Sequence, residues 1–273
     1  MTSSTDIRNE GTIQAERARG RDFDVRDKVV IITGAGQGIG REYARQFAAS
    51  GAIPVIAELN TEAAESVAKE ISAQGHQALA ITTDVADESS VAGLVEQVMD
   101  KYGRVDVLIN NAAIFASLAM RPFEEIPLSE WRAVIDVNIT GPYLCTKAVA
   151  PHMRAQGRGA VINVMSGAVP LGVPNYLHYV TSKSAMVGMT NSLAKELGAD
   201  NITVNAVQPG ATFTEVPRQT LTEEGKARLL GSQCIVREGI PMDLVGLVIF
   251  LASPAASFIT GQTIACDGGL THR

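Results

Sequence analysis

Short apolar runs rich in β-branched residues alternate along this chain with longer stretches of helical period. The runs with the length and composition of buried strands are Val29–Thr33, Ile53–Glu58, Ala78–Thr82, Val107–Asn110, Val161–Met165, Thr203–Val207 and Thr263–Cys266. The helical stretches are Ile39–Ser50, Thr61–Gln74, Ser89–Tyr102, Ser129–Ala155, Tyr176–Leu197, Ala211–Leu230 and Met242–Ala252. Repeated βα units place helices on both faces of a parallel sheet. The pattern predicts an α/β fold with a seven-stranded parallel sheet.

Residues that favour helix N-termini stand at the start of several predicted helices. Asn60 and Asp87 come just before two of them, and Ser129 opens a third. The side-chain oxygens of these residue types accept hydrogen bonds from the unpaired N–H groups of a first helical turn. We therefore expect all three residues to act as N-caps.

The first 28 residues differ in character from the rest of the chain. Six acidic and six basic side chains stand among them, with few large apolar residues. Such a segment buries too little apolar surface to offset its ordering entropy. We predict a charged, flexible arm over residues 1–28, with an arm that clasps another subunit as the alternative. Residues 29–273 contain no linker or repeat and are predicted to form one domain.

Composition and charge narrow the class of protein. The chain is 46% hydrophobic, and 23 basic against 29 acidic residues give it a net charge of −6. A net negative charge is unfavourable for binding the phosphate backbone of a nucleic acid, so we expect no nucleic-acid partner. The longest strongly apolar stretch, Leu244–Ala252, is far shorter than the about 20 residues that span a bilayer. We therefore expect no membrane partner.

The cysteines indicate the compartment. Cys145, Cys234 and Cys266 are far apart and show neither a disulfide framework nor the spacing of zinc ligands. The N-terminal residues lack the apolar segment of a secretory signal. We expect a cytoplasmic protein without a metal site.

A glycine-rich motif follows the first predicted strand. Residues 33–40 read TGAGQGIG and lead directly into a helical pattern. Glycines at such a turn let the backbone approach a pyrophosphate, which the free N–H groups of the helix N-terminus can bind. The alternative is a plain structural turn. The candidate phosphate-binding residues are Gly34, Gly36, Gln37, Gly38, Ile39 and Gly40.

An acidic residue at the end of the second strand indicates the type of dinucleotide. Glu58 can accept hydrogen bonds from both hydroxyls of an adenosine ribose, and it would repel a 2′-phosphate. Gln37 and Leu59, which lie beside it in the predicted site, carry no positive charge. These residues favour NAD over NADP. Arg41 lies nearby, and its positive charge weakens the exclusion of NADP. The alternative is that Glu58 is simply a polar strand end.

A tyrosine and a lysine share one face of a predicted helix. Tyr179 and Lys183 stand four residues apart, so that the two side chains can approach each other. A nearby ammonium group stabilises a phenolate and lowers the tyrosine pKa towards neutral pH. Ser166 follows the fifth strand, at the sheet edge where α/β folds bind ligands. Its hydroxyl could hold a substrate oxygen beside the tyrosine.

Taken together, the motifs over 27–273 resemble those of the short-chain dehydrogenase/reductase family. They comprise residues 33–40, Asp84-Val85, Asn110-Asn111-Ala112-Ala113, Asn138, Ser166, Tyr179 with Lys183, Pro209-Gly210 with Thr214, Thr260-Gly261-Gln262 and Asp267-Gly268-Gly269. The resemblance implies a doubly wound, Rossmann-type sheet that binds a dinucleotide. One departure is Ala113, where the family more often has glycine.

The resemblance also implies roles for individual residues. Tyr179 would exchange a proton with the substrate oxygen, which Ser166 would orient. Lys183 would depress the tyrosine pKa and bind the nicotinamide ribose, and Asn138 would help to hold a proton-relay water. The further residues expected to contact the cofactor are Asp84 and Val85 at the adenine, Asn111 and Ala112 in the cleft, and Pro209, Gly210, Thr212 and Thr214 at the nicotinamide end.

The segments expected to border the cleft indicate the substrate. Residues 114–119, 167–176 and 211–240 contain many apolar side chains and few charges, which favours an apolar organic molecule. The C-terminal region is similar to that of bacterial 1-phenylethanol and other secondary-alcohol dehydrogenases. We therefore expect an NAD-dependent alcohol dehydrogenase or ketone reductase that forms a homotetramer or homodimer. The alternatives are a 3-oxoacyl carrier-protein reductase, a cyclic diol or hydroxysteroid dehydrogenase, and a nucleotide-sensing or scaffold protein on the same fold.

Overall fold

The computed structural model describes residues 23–217 and 222–272. Within them, seven strands form one sheet. All strand pairs are parallel, in the order β3-β2-β1-β4-β5-β6-β7. The strands are β1 Val29–Thr33, β2 Ile53–Glu58, β3 Leu79–Thr82, β4 Val107–Asn110, β5 Gly159–Val164, β6 Ile202–Pro209 and β7 Thr263–Cys266. The predicted α/β class and seven-stranded parallel sheet are confirmed.

Helices connect successive strands. They are α1 Gly38–Ala49, α2 Thr61–Ala73, α3 Glu88–Tyr102, α4 Leu128–Ile135, α5 Gly141–Gln156, α6 Ala168–Leu171, α7 Leu177–Leu197, α8 Glu223–Gly231 and α9 Pro241–Ala252. Asn60 and Asp87 cap α2 and α3, accepting hydrogen bonds from Ala63 N (3.1 Å) and Ser89 N (2.9 Å). The expected cap at Ser129 is wrong, because α4 begins one residue earlier, directly after Pro127.

The core lies on both faces of the sheet, because neighbouring residues of a strand point in opposite directions. In β1, Val30 and Ile32 pack on the layer formed by α1, α2 and α9. Val29 and Ile31 pack on the layer formed by α3, α5 and α7. All five residues of β1 are buried, as expected for a strand covered on both sides. This rigid sheet fixes the positions of the loops at its carboxyl edge.

Two predicted helices differ from the observed ones. The stretch predicted as Ser129–Ala155 is helical throughout, but a π-helical segment, Asp136–Thr140, separates α4 from α5. The prediction of a helix over Ala211–Leu230 is wrong for its first part. There Phe213 N donates to Gly239 O (2.8 Å), and Pro217 disfavours the helical conformation in the residue before it. Within the described part of this stretch, helix occurs only in α8.

The last residues of the predicted N-terminal arm pack against the domain. Val25 is buried, the Phe23 ring lies 5.9 Å from that of Phe250, and Lys28 Nζ donates to Ala252 O (2.6 Å). The packed region therefore extends to residues before 29. Residues 1–22, which hold most of the predicted arm, lie outside the described residues, so the arm and the domain boundary stay predictions.

Candidate active site

The strand order reverses between β1 and β4, and the crevice at their carboxyl ends is the expected ligand site of such a sheet. Thr33 joins the two strands: its Oγ1 accepts hydrogen bonds from the backbone N of Asn111 and of Ala112, both at 3.0 Å. Asn111 Nδ2 donates to Thr33 O (2.9 Å) and Gly34 O (3.0 Å). The Asn111 amide thus positions the glycine loop, with both of its hydrogens directed to the backbone.

The glycines of residues 33–40 stand where side chains would not fit. Gly34 has a φ of +63°, which favours glycine. A Cβ on Gly40 would lie 2.4 Å from Gly34 O and 2.6 Å from Asn111 Nδ2. Gln37, the N-cap residue of α1, makes no capping hydrogen bond through its own side chain. The loop therefore presents N–H groups and the positive end of a helix dipole, which fits a pyrophosphate.

Glu58 lies at the end of β2, beside the glycine loop. Its Oε2 accepts from Gly36 N and its Oε1 from Asn60 N, both at 3.1 Å. Leu59 follows it and is exposed. The carboxylate thus occupies the edge of the crevice where the sequence places the adenosine ribose.

Arg41 is engaged by acidic side chains. Its Nε and Nη2 donate to Glu70 Oε2 at 3.0 and 2.8 Å, and its Nη1 lies 3.6 Å from Glu215 Oε1. Two charge-assisted hydrogen bonds to one carboxylate oxygen hold the guanidinium in place. Arg41 is therefore already paired in the structure.

Asp84 and Val85 follow β3, which is the neighbour of β2 in the sheet. Asp84 Oδ1 accepts from Ala86 N (2.9 Å), and Ser90 Oγ accepts from Asp84 N (3.0 Å). Val85 is buried and packs against Gly141, where an added Cβ would lie 2.8 Å from Val85 Cγ2. Both residues lie on the Glu58 side of the crevice, where the resemblance places the adenine.

Ser166, Tyr179 and Lys183 come together around one cavity of about 440 Å³. Ser166 follows β5, and its Oγ accepts from Ala168 N (3.1 Å). Tyr179 and Lys183 lie one turn apart in α7, and both are buried. Gln37, Gly38, Ile39, Asn111, Pro209, Gly210, Thr212 and Thr214 also line this cavity. It therefore extends from the glycine loop to the predicted catalytic residues.

Lys183 is held deep in the site. Its Nζ donates to Val164 O, at the end of β5, over 2.8 Å. Burial lowers the pKa of Lys183 to about 8, because desolvation disfavours the charged form. The group remains largely protonated at pH 7, and its charge lies in a poorly solvated environment. Such a charge acts strongly on a nearby phenol.

Asn138 lies in the π segment and does not line the cavity. Its Oδ1 accepts from Ile114 N (2.8 Å), while its Nδ2 donates to Ile114 O (3.2 Å) and Ser182 Oγ (3.0 Å). Ser182 Oγ in turn donates to Tyr179 O (2.8 Å). The buried amide thus links the segment after β4 to the helical turn that carries Tyr179.

An aromatic wall stands beside Tyr179. The rings of Phe115 and Tyr176 lie 4.8 and 5.0 Å from the Tyr179 ring, and Tyr176 OH donates to Phe115 O (2.8 Å). The other apolar side chains of the cavity are Ala113, Ala116, Met120, Val164, Met165, Ala168, Leu171, Val173, Ala211, Val216, Leu229 and Leu270. In the described part of the chain, no acidic, arginine or histidine side chain lines it.

Sequence reasoning missed Met120, Leu270 and Glu215 at this site. Leu270 reaches the cavity because Asp267 accepts hydrogen bonds from Gly269 N (3.0 Å) and Thr271 N (3.1 Å), which turns the chain back. The Asp-Gly-Gly sequence is a turn signal that could have indicated this. Nothing near Met120 in the sequence marks it, and Glu215 lies within the segment 211–240 expected to border the cleft but has no local signal of its own.

Other polar residues do not add to the site. His178, beside Tyr179, is fully buried, and its Nε2 lies 3.2 Å from Glu130 Oε1.

Within 23–217 and 222–272, the structure contains no group of three or more His, Cys, Asp or Glu that could hold a metal ion. In the same residues, no helix is both long and apolar enough to cross a membrane.

Comparison with known proteins identifies the family. A family model described as enoyl-(acyl carrier protein) reductase matches residues 34–271. A 3-oxoacyl-(acyl-carrier-protein) reductase of Synechocystis is 40% identical over 247 residues, covering 89% of this chain and 96% of the relative. A cis-4-hydroxycyclohexanecarboxylate dehydrogenase of Sinomonas cyclohexanicum is 39% identical, with 90% and 97% covered. The chain belongs to the short-chain dehydrogenase/reductase family.

Solved structures show the same architecture. A 7α-hydroxysteroid dehydrogenase in complex with NADH and 7-oxo glycochenodeoxycholic acid has a TM-score of 0.86 at 34% identity, with 91% of this chain and 96% of that chain covered. A structure described as a gluconate 5-dehydrogenase of Beutenbergia cavernae, with bound NADP, has a TM-score of 0.84 at 35% identity, with 91% and 98% covered. The Rossmann-type fold and the oxidoreductase class are therefore established, and a nicotinamide cofactor is expected.

Proposed function

We propose that this protein is an NAD-dependent dehydrogenase that interconverts a secondary alcohol, apolar or ring-bearing, and its ketone. The observation that carries the proposal is the juxtaposition of Ser166, Tyr179 and Lys183 at an apolar cavity continuous with the glycine loop. Tyr176, Tyr179 and Lys183 are the only ionisable side chains among its described lining residues. Such a cavity suits a neutral molecule that needs one hydroxyl or carbonyl oxygen oriented.

The chemistry follows from the side chains present. A bound nicotinamide would supply the acceptor for the hydride that leaves the carbinol carbon of the alcohol. Tyr179 takes the hydroxyl proton as a phenolate, and Ser166 Oγ holds the same oxygen by a hydrogen bond. Lys183 stabilises the phenolate through its charge. In the reverse direction Tyr179 returns the proton to the ketone oxygen. Asn138 positions the Tyr179 turn through Ser182.

NAD is the proposed cofactor. Glu58, which accepts a hydrogen bond from Gly36 N in the glycine loop, would repel a 2′-phosphate, and Arg41 is paired with Glu70 and Glu215. Gly34, Gly36, Gly40 and the N-terminus of α1 form a cradle that fits the pyrophosphate. Related structures contain either NADH or NADP, so this proposal rests on the charges of this chain.

A 3-oxoacyl carrier-protein reductase is the second candidate. The 40% identity to the Synechocystis enzyme supports it. The net charge of −6 counts against it, because carrier proteins are acidic and a basic surface would bind them better. Relatives acting on ring-bearing alcohols include the cyclohexanecarboxylate dehydrogenase and, at 37% identity, a hydroxy(phenyl)methylsuccinyl-CoA dehydrogenase subunit of Thauera aromatica.

The test is a substrate panel of aryl-substituted and cyclic secondary alcohols, hydroxysteroids and 3-oxoacyl thioesters, run with NAD(H) and NADP(H). We expect the highest kcat/KM for a ring-bearing alcohol with NAD. Tyr179→Phe should abolish turnover, whereas Tyr143→Phe, at an exposed tyrosine of α5, should not. Highest efficiency with an acyl thioester and NADPH would favour the second candidate. Equal rates for Tyr179→Phe and the wild type would overturn the enzyme proposal.

The assembly and location are part of the same proposal. We propose a cytoplasmic homotetramer or homodimer, as the family resemblance implies. The three cysteines are free thiols, which is consistent with a reducing compartment. Light scattering of the purified protein would give the number of subunits.

A further inference from the structure

An acidic side chain from the far side of the cavity reaches the glycine loop. Glu215 Oε1 accepts a hydrogen bond from Gly38 N over 3.0 Å, and the same oxygen lies 3.6 Å from Arg41 Nη1. Gly38 is the first residue of α1. Glu215 thus bonds to a backbone N–H group that also suits a cofactor phosphate.

The local charges keep this carboxylate ionised. Burial by itself raises the pKa of Glu215, but the hydrogen bond from Gly38 N and the charge of Arg41 outweigh it, so that the pKa is lowered. The side chain is about half exposed. An ionised carboxylate at a helix N-terminus is stabilised by the dipole in the same way as a bound anion.

The residues on either side of Glu215 form part of the cavity wall. Thr214 and Val216 both line it. A Cβ placed on Gly38 would lie 3.6 Å from Val216 Cγ2 and 3.8 Å from Thr214 Cγ2. The hydrogen bond of Glu215 therefore holds one wall of the substrate cavity against the glycine loop.

The same wall is attached separately at its base. Phe213 N donates to Gly239 O (2.8 Å). Lys226 Nζ pairs with Glu238 Oε1 at 2.5 Å and lies 4.8 Å from the centre of the Phe213 ring. The segment Phe213–Val216 thus has a fixed base at Phe213 and a polar attachment at Glu215.

We propose that Glu215 is a positioning residue that couples cofactor binding to the substrate wall. In the cofactor-free enzyme it holds Thr214 and Val216 against the glycine loop. When a dinucleotide binds, its pyrophosphate competes with the Glu215 carboxylate for Gly38 N, because two anions at one helix N-terminus repel each other. The wall is then released to adjust around the substrate. This inference rests on the proposed nicotinamide-dependent function.

The test is direct calorimetric titration of the purified enzyme with NAD, without substrate. Glu215→Gln removes the charge but keeps an oxygen that can accept from Gly38 N. We expect its Kd for NAD to fall about fivefold. Glu224→Gln is the matched control, with the same charge change at an exposed residue of α8, and should leave the Kd unchanged. The gain should shrink at high salt because ions screen the repulsion.

Kinetics give the second measurement. Because bound NAD displaces the side chain of residue 215 in both proteins, Glu215→Gln should lower KM for NAD, while kcat and the KM for the alcohol at saturating NAD change little. A Kd for NAD that is unchanged or raised in Glu215→Gln, with an unaltered melting temperature, would overturn the competition. The proposed function is tested by the wild type alone: absence of NAD binding or of NAD-dependent turnover there would reject the function, whatever the variants show.

Discussion

Lys183 Nζ donates its hydrogen bond to Val164 O, two residues before Ser166 on the same backbone. This bond ties the middle of α7 to the end of β5, so the lysine and the serine are positioned by one stretch of main chain. The ammonium is fully buried, with a pKa lowered to about 8. Burying this charge lowers the free energy of unfolding, but it places the charge at the candidate active site.

The first prediction concerns this cost. The folded-state pKa of Lys183 lies below the ordinary lysine value of 10.5, so the unfolded state binds more protons between these two pKa values. Unfolding free energy should therefore rise with pH from about 8 towards 10.5, by up to about 3 kcal/mol from this group. Lys183→Met should lack this rise. Urea unfolding of both proteins at pH 7 and pH 10 checks it, and parallel pH dependences would contradict it.

The second prediction concerns the role of the Lys183 charge in turnover. Lys183→Met should lower kcat/KM by about 10²–10⁴ at pH 7, because the Tyr179 phenolate loses its nearby cation. The remaining activity should increase with pH further into the alkaline range than in the wild type. A pH profile identical in shape to that of the wild type would show that the lysine does not act on the tyrosine.

The third prediction concerns Gly40. Its α-hydrogen faces Gly34 O and Asn111 Nδ2, which leave no room for a methyl group. Gly40→Ala should push these groups apart, destabilise the fold by about 1–3 kcal/mol and weaken NAD binding. The matched control is Gly93→Ala in α3, where an added Cβ meets nothing within 4 Å. That variant should be neutral or more stable by up to about 1 kcal/mol. Thermal unfolding with and without NAD would separate the two.

The fourth prediction concerns cofactor choice. Glu58→Gln removes the carboxylate that would repel a 2′-phosphate, so kcat/KM with NADP should rise at least about tenfold, equivalent to about 1.4 kcal/mol. Glu65→Gln, at an exposed residue of α2, is the control and should leave the NAD/NADP ratio unchanged. A ratio that does not move in Glu58→Gln would show that another residue selects the cofactor.

The fifth prediction concerns Asn138. Asn138→Leu should leave the Ile114 backbone groups without their side-chain partners in a partly buried place, costing about 1–3 kcal/mol. It should lower kcat more than it changes the Kd for NAD, because the Tyr179 turn loses its support. Ser182→Ala removes the acceptor of Asn138 Nδ2 and the bond to Tyr179 O but keeps both bonds to Ile114, so it should lower kcat with a smaller loss of stability. If either variant changed kcat and the Kd for NAD by the same factor, this result would argue against a positioning role.

Local patterns predicted most of this fold. The strands β1, β2, β4 and β7 have the bounds expected from their apolar runs. In β1 and β4 every residue is buried, so almost every position needs an apolar or small residue. Asn60 and Asp87 cap their helices because capping depends only on neighbouring backbone groups. These features need no information from distant parts of the chain.

The remaining features depend on distant contacts. The segment after Gly210 is not helical because its backbone bonds to Gly239. Leu270 and Glu215 reach the cavity and the glycine loop only through the tertiary arrangement. Hydrophobic periodicity contains no signal for such contacts, so the hydrogen bond between the Glu215 carboxylate and Gly38 N could not be predicted. The catalytic tyrosine and lysine could, because their relation is local to one helix.

The π segment Asp136–Thr140 makes the active site sensitive to chain length. Backbone dihedrals stay helical at both of its ends, with φ of −64° at Ile135 and −63° at Thr140. A π turn accommodates one residue more than the α turn it replaces. Deleting a single residue there would let α4 and α5 join as an ordinary helix with little loss of packing, yet would rotate Asn138 away from Ile114. A deletion at this point would therefore impair catalysis while leaving the fold intact, which few substitutions would do.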